Sequence, residues 1–199
     1  MVNLSTKEPE KLEVVNFQGI DADSSPIRFR ACFEIKQSFE RRDIKVIPVF
    51  LMRDPVDRLR SLAKMKIGLR DPNKKVSKKR ELQEMKKIVG TKEDLIRSNY
   101  SSTHREIKEA FGKDAFFSLY ENLFNSAEIK RLCELIGIPF EEPNFSKKVN
   151  QASSKNHFSN DELSDFPEIY REQYKFAIDI FGESEIKKNW KSYSNMTHE

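Results

Sequence analysis

Apolar positions along this chain change period several times, and the changes mark its elements. Val46–Met52, in "KVIPVFLM", is a continuous apolar run bounded by charge, the pattern of a buried strand, although Pro48 cannot donate to a ladder. "AFFSLY" (Ala115–Tyr120) has the same character. Between them the period lengthens. From Pro55 to about Ile67, the residues Val56, Leu59, Leu62 and Ala63, with Met65 near the stripe's edge, line one side of a helix. Glu81–Val89 reads as a short helix, and Thr91–Phe111 as a long one, opened by Thr91 and Asp94 in capping-box spacing and closed by Gly112. Ser126–Ile136 repeats the pattern up to Gly137, with Ile129, Leu132, Cys133 and Ile136 inward.

The flanks are weaker. Residues 1–13 read as loose, Glu13–Phe17 ("EVVNF") as a short strand, and Gly19–Pro26 as a turn. Ile27–Arg42 carries an imperfect helical stripe of Phe29, Phe33, Ile35 and Phe39. A long loop rich in Pro, Asn, Ser and Lys covers 138–160, and Tyr170, Tyr174, Ala177, Ile178 and Phe181 share one face of a C-terminal helix. Strands alternating with helices at crossover distance predict a single α/β domain with a parallel sheet over 1–199, helix-rich and short of strands.

Composition narrows the class. With 37% hydrophobic residues and 15 Phe in 199 positions the chain holds enough apolar bulk for a core. A net charge of +4 within 34% charged residues does not by itself argue for a nucleic-acid partner. The longest apolar run is too short to span a bilayer, and the polar N-terminus lacks the apolar stretch of a signal peptide. Cys32 and Cys133 stand apart with no CxxC, and no Cys/His cluster suggests a metal. These features together predict free thiols and a cytoplasmic protein.

The chemistry concentrates in "MRDPVDRLRS" (Met52–Ser61). Ligands gather at the carboxyl ends of strands in open α/β sheets, and Arg53 sits there. Asp54 suits a helix cap and Pro55 the first helical position. Free N–H groups at the helix start, a guanidinium, and a Ser61 hydroxyl leaning back from two turns on would make an anion site. The residues alone leave a plainer reading open, in which Arg53 pairs with a carboxylate, Ser61 is an ordinary helix serine, and Arg58 and Arg60 are surface groups.

"VFLMRDPVDRLRS" resembles the 3'-phosphate-binding motif of sulfotransferases, which use 3'-phosphoadenosine-5'-phosphosulfate (PAPS) as sulfuryl donor. An apolar strand leads to Arg-Asp-Pro, then a second Arg, then a Ser eight residues after the first Arg; here these are Arg53, Asp54, Pro55, Arg58 and Ser61. "DADSSP" resembles the segment that precedes this strand in the family, and Tyr100 with "AFGKDAFFSLYENLF", "LCELIGIPF" and "FSKKVNQAS" resemble later segments, so the likeness covers roughly residues 20–155.

The resemblance implies a three-layer domain related to P-loop NTPases, with Arg53 and Ser61 on the donor's 3'-phosphate and Lys147, Lys148 and Asn150 as further donor contacts. It also implies transfer of the sulfuryl group to a hydroxyl or amine acceptor, with carbohydrate a candidate. The family's first strand and its Pro-Lys-Thr-Gly-Thr-Thr-like loop around the 5'-phosphosulfate have no counterpart among the six glycines, so the domain reads as N-terminally incomplete. No catalytic base is named. His104 reads as a solvent-facing helix residue, and Glu121, in the Tyr-Glu of the later strand, as a residue that orders the fold. The alternatives are a non-catalytic 3'-phosphoadenosine-binding remnant and a small basic module for nucleic acid or acidic glycan, built on "KKVSKKR" (Lys74–Arg80). A nucleotide kinase is disfavoured by the missing Gly-x-x-x-x-Gly-Lys-Ser/Thr loop.

Overall fold

The computed structural model describes residues 25–71, 75–146 and 156–196, with side chains from Ala31 onward. Helices dominate. In chain order they are α1 (Ser25–Glu40), strand β1 (Val49–Met52), α2 (Pro55–Arg70), α3 (Lys78–Ile88), α4 (Lys92–Ser98) and α5 (Tyr100–Phe111). Strand β2 (Phe116–Leu119) and a 3-10 turn (Tyr120–Phe124) lead to α6 (Ser126–Ile136). The C-terminal part holds α7 (Asn160–Leu163), α8 (Asp165–Ile169), α9 (Arg171–Phe181), α10 (Glu183–Asn189) and a last 3-10 turn (Lys191–Asn195). A mixed α/β domain with a parallel sheet is what the patterning predicts, and the sheet among the described residues has two strands.

The strands are shorter than their apolar runs. Pro48 offers its C=O to Phe116 N–H at 2.9 Å but has no N–H to return, so the ladder begins only at Val49. The register pairs Val49 with Phe116, Phe50 with Phe117, Leu51 with Ser118 and Met52 with Leu119. Period-2 alternation puts Phe50, Met52, Phe117 and Leu119 on one face. Tyr100 of α5 meets Phe50 on that face, with ring centroids 6.1 Å apart. Beyond it Met52 and Leu119 join the buried core with Trp190, Tyr174, Tyr170 and Leu59. Trp190 is fully buried, edge-on to Tyr174 at 5.5 Å, so the C-terminal helices close the core rather than trail from it.

The predicted helix over Thr91–Phe111 is two helices. Asn99 ends α4 and caps α5, its side-chain oxygen accepting from Ser102 N–H at 3.1 Å, so a residue that competes with helical backbone breaks the run. Thr91 caps α4, but Asp94 does not return the capping-box bond; it accepts from Gly90 N–H at 3.1 Å. Ser25 and Pro26, expected in a turn, open α1, where proline is tolerated in the first turn. Residues 138–146 and 156–159 carry no helix or strand. The expected strand Glu13–Phe17, the loose residues 1–13 and the middle of the 138–160 loop lie outside the described residues.

Candidate functional site

The site begins where β1 stops. Asp54 caps α2: its carboxylate is fully buried and accepts from Val56 N–H (3.0 Å), the Tyr174 hydroxyl (2.8 Å) and Ser192 N–H (3.0 Å). Burial holds its carboxyl above the usual aspartate range, helped by the nearby Asp57 charge and opposed by those hydrogen bonds. On the other side of the backbone, the Tyr100 hydroxyl donates to Arg53 C=O at 2.7 Å, and burial pushes that hydroxyl up to about 12. The Arg53 carbonyl and the Asp54 carboxylate are thus held from three elements, α5, α9 and the last 3-10 turn.

From this fixed base the Arg53 side chain crosses the start of α2. Its Nη1 donates to Ser61 Oγ at 2.9 Å, and the guanidinium carbon lies 5.0 Å from the Tyr120 ring centroid. Among the described residues no carboxylate lies within ion-pair distance of it, and its buried Nε has no hydrogen-bond acceptor. Ser61 is exposed, and its hydroxyl, accepting from Arg53, keeps its own proton to donate. A cation held by a hydroxyl and an aromatic face, with donors to spare, is an arrangement suited to an anion. Charge-assisted hydrogen bonds of this kind are worth about 1.5–3 kcal/mol each.

The helix terminus gives less than the spacing suggests. Pro55 has no N–H and Val56 N–H is taken by Asp54, so the first two helical positions offer no N–H to a ligand. Arg58 and Arg60 are not surface groups either. Arg58 Nη2 donates to Asp94 Oδ1 at 2.7 Å, and Asp94 is completely buried and also accepts from the Tyr170 hydroxyl at 2.6 Å. Arg60 bonds buried Glu81 at 3.2 Å and the Asn156 C=O at 2.9 Å, with Phe158 beneath it. Both arginines tie α2 to its neighbours.

Other predicted residues fall elsewhere. His104 is buried, not solvent-facing, with its ring 4.2 Å from Phe117 and 5.4 Å from Phe176. Desolvation, then the Lys108 charge, keeps its imidazole below its ordinary value. Glu121 is half-buried beside the site and accepts from Trp190 Nε1 at 3.2 Å. Burial raises its carboxyl pKa, and the Arg53 charge opposes that. The basic segment is partly neutralised, since Lys78 pairs with Glu162 at 2.7 Å and Arg80 with Asp71. Lys147, Lys148 and Asn150 lie outside the described residues. Sequence reasoning gave Tyr120 no part in the site; its place directly after β2, beside β1 in the sheet, was the available signal.

Among the described residues there is no cluster of three or more His, Cys, Asp or Glu that would hold a metal ion, and no helix is long and apolar enough to cross a membrane. A family of unknown function (DUF6446) matches residues 1–51 of the 199. No curated protein and no solved structure matches the chain.

Proposed function

We propose that this chain is a sulfotransferase-like domain, related to P-loop NTPases, that binds PAPS by its 3'-phosphate at the carboxyl end of β1. The observation that carries the reading is the convergence of Arg53 and Ser61, 2.9 Å apart, with Arg53 free of any carboxylate partner among the described residues. In this reading Arg53 supplies charge and a planar fork matched to phosphate oxygens, and the Ser61 hydroxyl adds a donor. Tyr100 and Asp54 hold the backbone that aims them. The donor, when bound, brings an activated sulfuryl group, and a hydroxyl or amine, carbohydrate among the candidates, is its acceptor.

Calorimetry with 3',5'-bisphosphoadenosine tests the site. Binding is expected, with 5'-AMP clearly weaker and Arg53→Ala costing tenfold or more, equivalent to about one charged hydrogen bond. Equal affinity for the two nucleotides, or none for either, would remove the 3'-phosphate assignment.

A second reading, binding without transfer, has one observation in its favour. The glycines among the described residues lie inside α2 or in the turns where helices end, and none forms a strand-to-helix loop around a phosphosulfate. A missing preorganised donor of this type costs roughly 10²–10³ in rate. Radiolabelled sulfuryl transfer to a glycan panel separates the two: labelled product supports the enzyme, and nucleotide binding with no product supports the binder. The basic-module alternative is weakened by the ion pairs of Lys78 and Arg80.

A further inference from the structure

Two carboxyl groups border Arg53, and their surroundings differ. Asp54 is fully buried and takes three donors, which commits it to the start of α2. Glu121 is half-buried and, among the described residues, accepts one side-chain hydrogen bond, from Trp190 Nε1 to Oε2 at 3.2 Å. Its Oε1 has no side-chain donor there.

Three consecutive residues fix that carboxylate. The Tyr120 ring centroid lies 5.0 Å from the Arg53 guanidinium carbon. Glu121 holds the indole of Trp190, which is fully buried against Tyr174 and Tyr100. Asn122 Oδ1 accepts from Asn189 Nδ2 at 3.2 Å. The turn after β2 is therefore clamped between Arg53 and the end of α10, with Glu121 in the middle of the clamp. Most charges near it are committed elsewhere. Glu185 and Lys188 of α10 pair at 3.4 Å, and Glu128 and Arg131 of α6, which packs on the turn, pair at 2.6 Å. The Tyr100 hydroxyl of α5 is given to Arg53 C=O. The charges that act on Glu121 are those of Arg53 and Asp54.

We propose that Glu121 is a positioning residue that acts through Arg53: it is the counter-charge of that guanidinium while the site is empty, and it takes up a proton when an anion binds. The inference rests on Arg53 and Ser61 forming an anion site, but not on which nucleotide occupies it. While ionised, Glu121 offsets part of the Arg53 charge from beyond ion-pair distance. An anion on Arg53 and Ser61 cancels that attraction and adds repulsion. The carboxylate then takes a proton from solvent on Oε1, while Oε2 keeps the indole bond, and no bond of the ligand changes. By reciprocity, a protonated Glu121 favours the anion by the same factor. Burial already holds this carboxyl above the ordinary glutamate value of 4.5, so uptake falls above that pH.

NMR of the Glu121 carboxyl carbon in the full chain tests this, titrated from about pH 7.5 down to pH 4.5, the ordinary value. Sulfate is the probe, because its charge is constant over that range, and ionic strength is held fixed with chloride. The titration midpoint is expected to rise when sulfate is added. It should also rise in Arg53→Ala without sulfate, and sulfate should not move it further in that variant. A midpoint that neither sulfate nor Arg53→Ala moves would overturn the proposal, and so would a sulfate effect that persists in Arg53→Ala. Glu121→Gln keeps an oxygen for Trp190 Nε1. It should bind sulfate roughly threefold more tightly at neutral pH, the size of a screened charge pair near a surface, and no more tightly once Glu121 is protonated. Weaker binding at both pH values would make Glu121 structural and overturn the proposal. If Glu121→Gln fails to fold, the midpoints of the unaltered and Arg53→Ala proteins decide. The preference for 3',5'-bisphosphoadenosine over 5'-AMP tests the nucleotide reading separately, and that reading can fail while sulfate still moves Glu121.

Discussion

Arg53 and Arg58 stand five residues apart at the start of one helix, and the fold treats them in opposite ways. Arg58 is mostly buried, and its charge meets a fully buried carboxylate at 2.7 Å. That carboxylate also takes the Tyr170 hydroxyl and Gly90 N–H, so the seam between α2, α4 and α8 closes on itself. Arg53 meets a hydroxyl and an aromatic ring, neither of which cancels charge. The motif therefore contains one structural cation and one available cation. The difference lies in what the neighbouring elements bring: α4 presents Asp94, whereas the 3-10 turn after β2 presents Tyr120.

The largest consequence is for stability. Asp94→Ala leaves Arg58 buried beside no carboxylate and strips the acceptor from Tyr170 and Gly90. Breaking a buried pair this way costs about 3–5 kcal/mol, measured as a fall in the urea unfolding midpoint. Arg53→Ala should change stability by only about 0.5 kcal/mol or less, as for substitutions outside buried networks. A loss in Arg53→Ala as deep as in Asp94→Ala would break the comparison and make Arg53 a structural residue.

Binding should show the reverse order. Arg53→Lys keeps the charge but loses the planar fork that meets Ser61 and lies near Tyr120, so affinity for 3',5'-bisphosphoadenosine is expected to fall roughly fivefold, about 1 kcal/mol. Ser61→Ala removes one neutral hydroxyl and the partner that orients Arg53, and a loss of roughly threefold is expected at unchanged stability. Calorimetry on both variants sharpens the contrast. An unaltered affinity in Ser61→Ala would mean that the hydroxyl only caps Arg53.

The sequence made parts of this legible because they depend on local rules. The helices Pro55–Arg70 and Ser126–Ile136 follow from apolar spacing with Asp54, Pro55 and Gly137 as punctuation. The approach of Arg53 to Ser61 follows from helical geometry, two turns and a side chain leaning toward the N-terminus. Partners distant in sequence were hidden. Nothing near Arg58 announces Asp94, 36 residues on, and nothing near Asp54 announces Tyr174 or Ser192, 120 and 138 residues away. The break at Asn99 was missed because the apolar stripe continues through it, although Asn is a residue that prefers caps. His104 was misjudged because the residues that bury it are supplied by other elements. Its helix turns it onto Phe117 and Phe176, and those contacts exist only after β2 and α9 dock.

His104 is a third fate for a basic side chain, kept neutral by burial, and its effect is a change of slope with pH rather than of level. Its folded pKa lies below the ordinary histidine value of 6.5. Above that value the ring is neutral whether the chain is folded or not, and its contribution to stability is fully present. As pH falls below it, the unfolded chain takes up a proton that the folded chain resists, so stability is lost progressively down through the folded value. His104→Phe keeps an aromatic ring between Phe117 and Phe176 and cannot titrate. Between pH 7.5 and 5 its urea midpoint should fall less than that of the unaltered chain. Carboxylates contribute equally to both proteins, so the difference isolates the imidazole. Equal falls would mean that His104 is protonated as easily folded as unfolded, and the division into bound, available and neutralised cations would reduce to Arg58 and Arg53 alone.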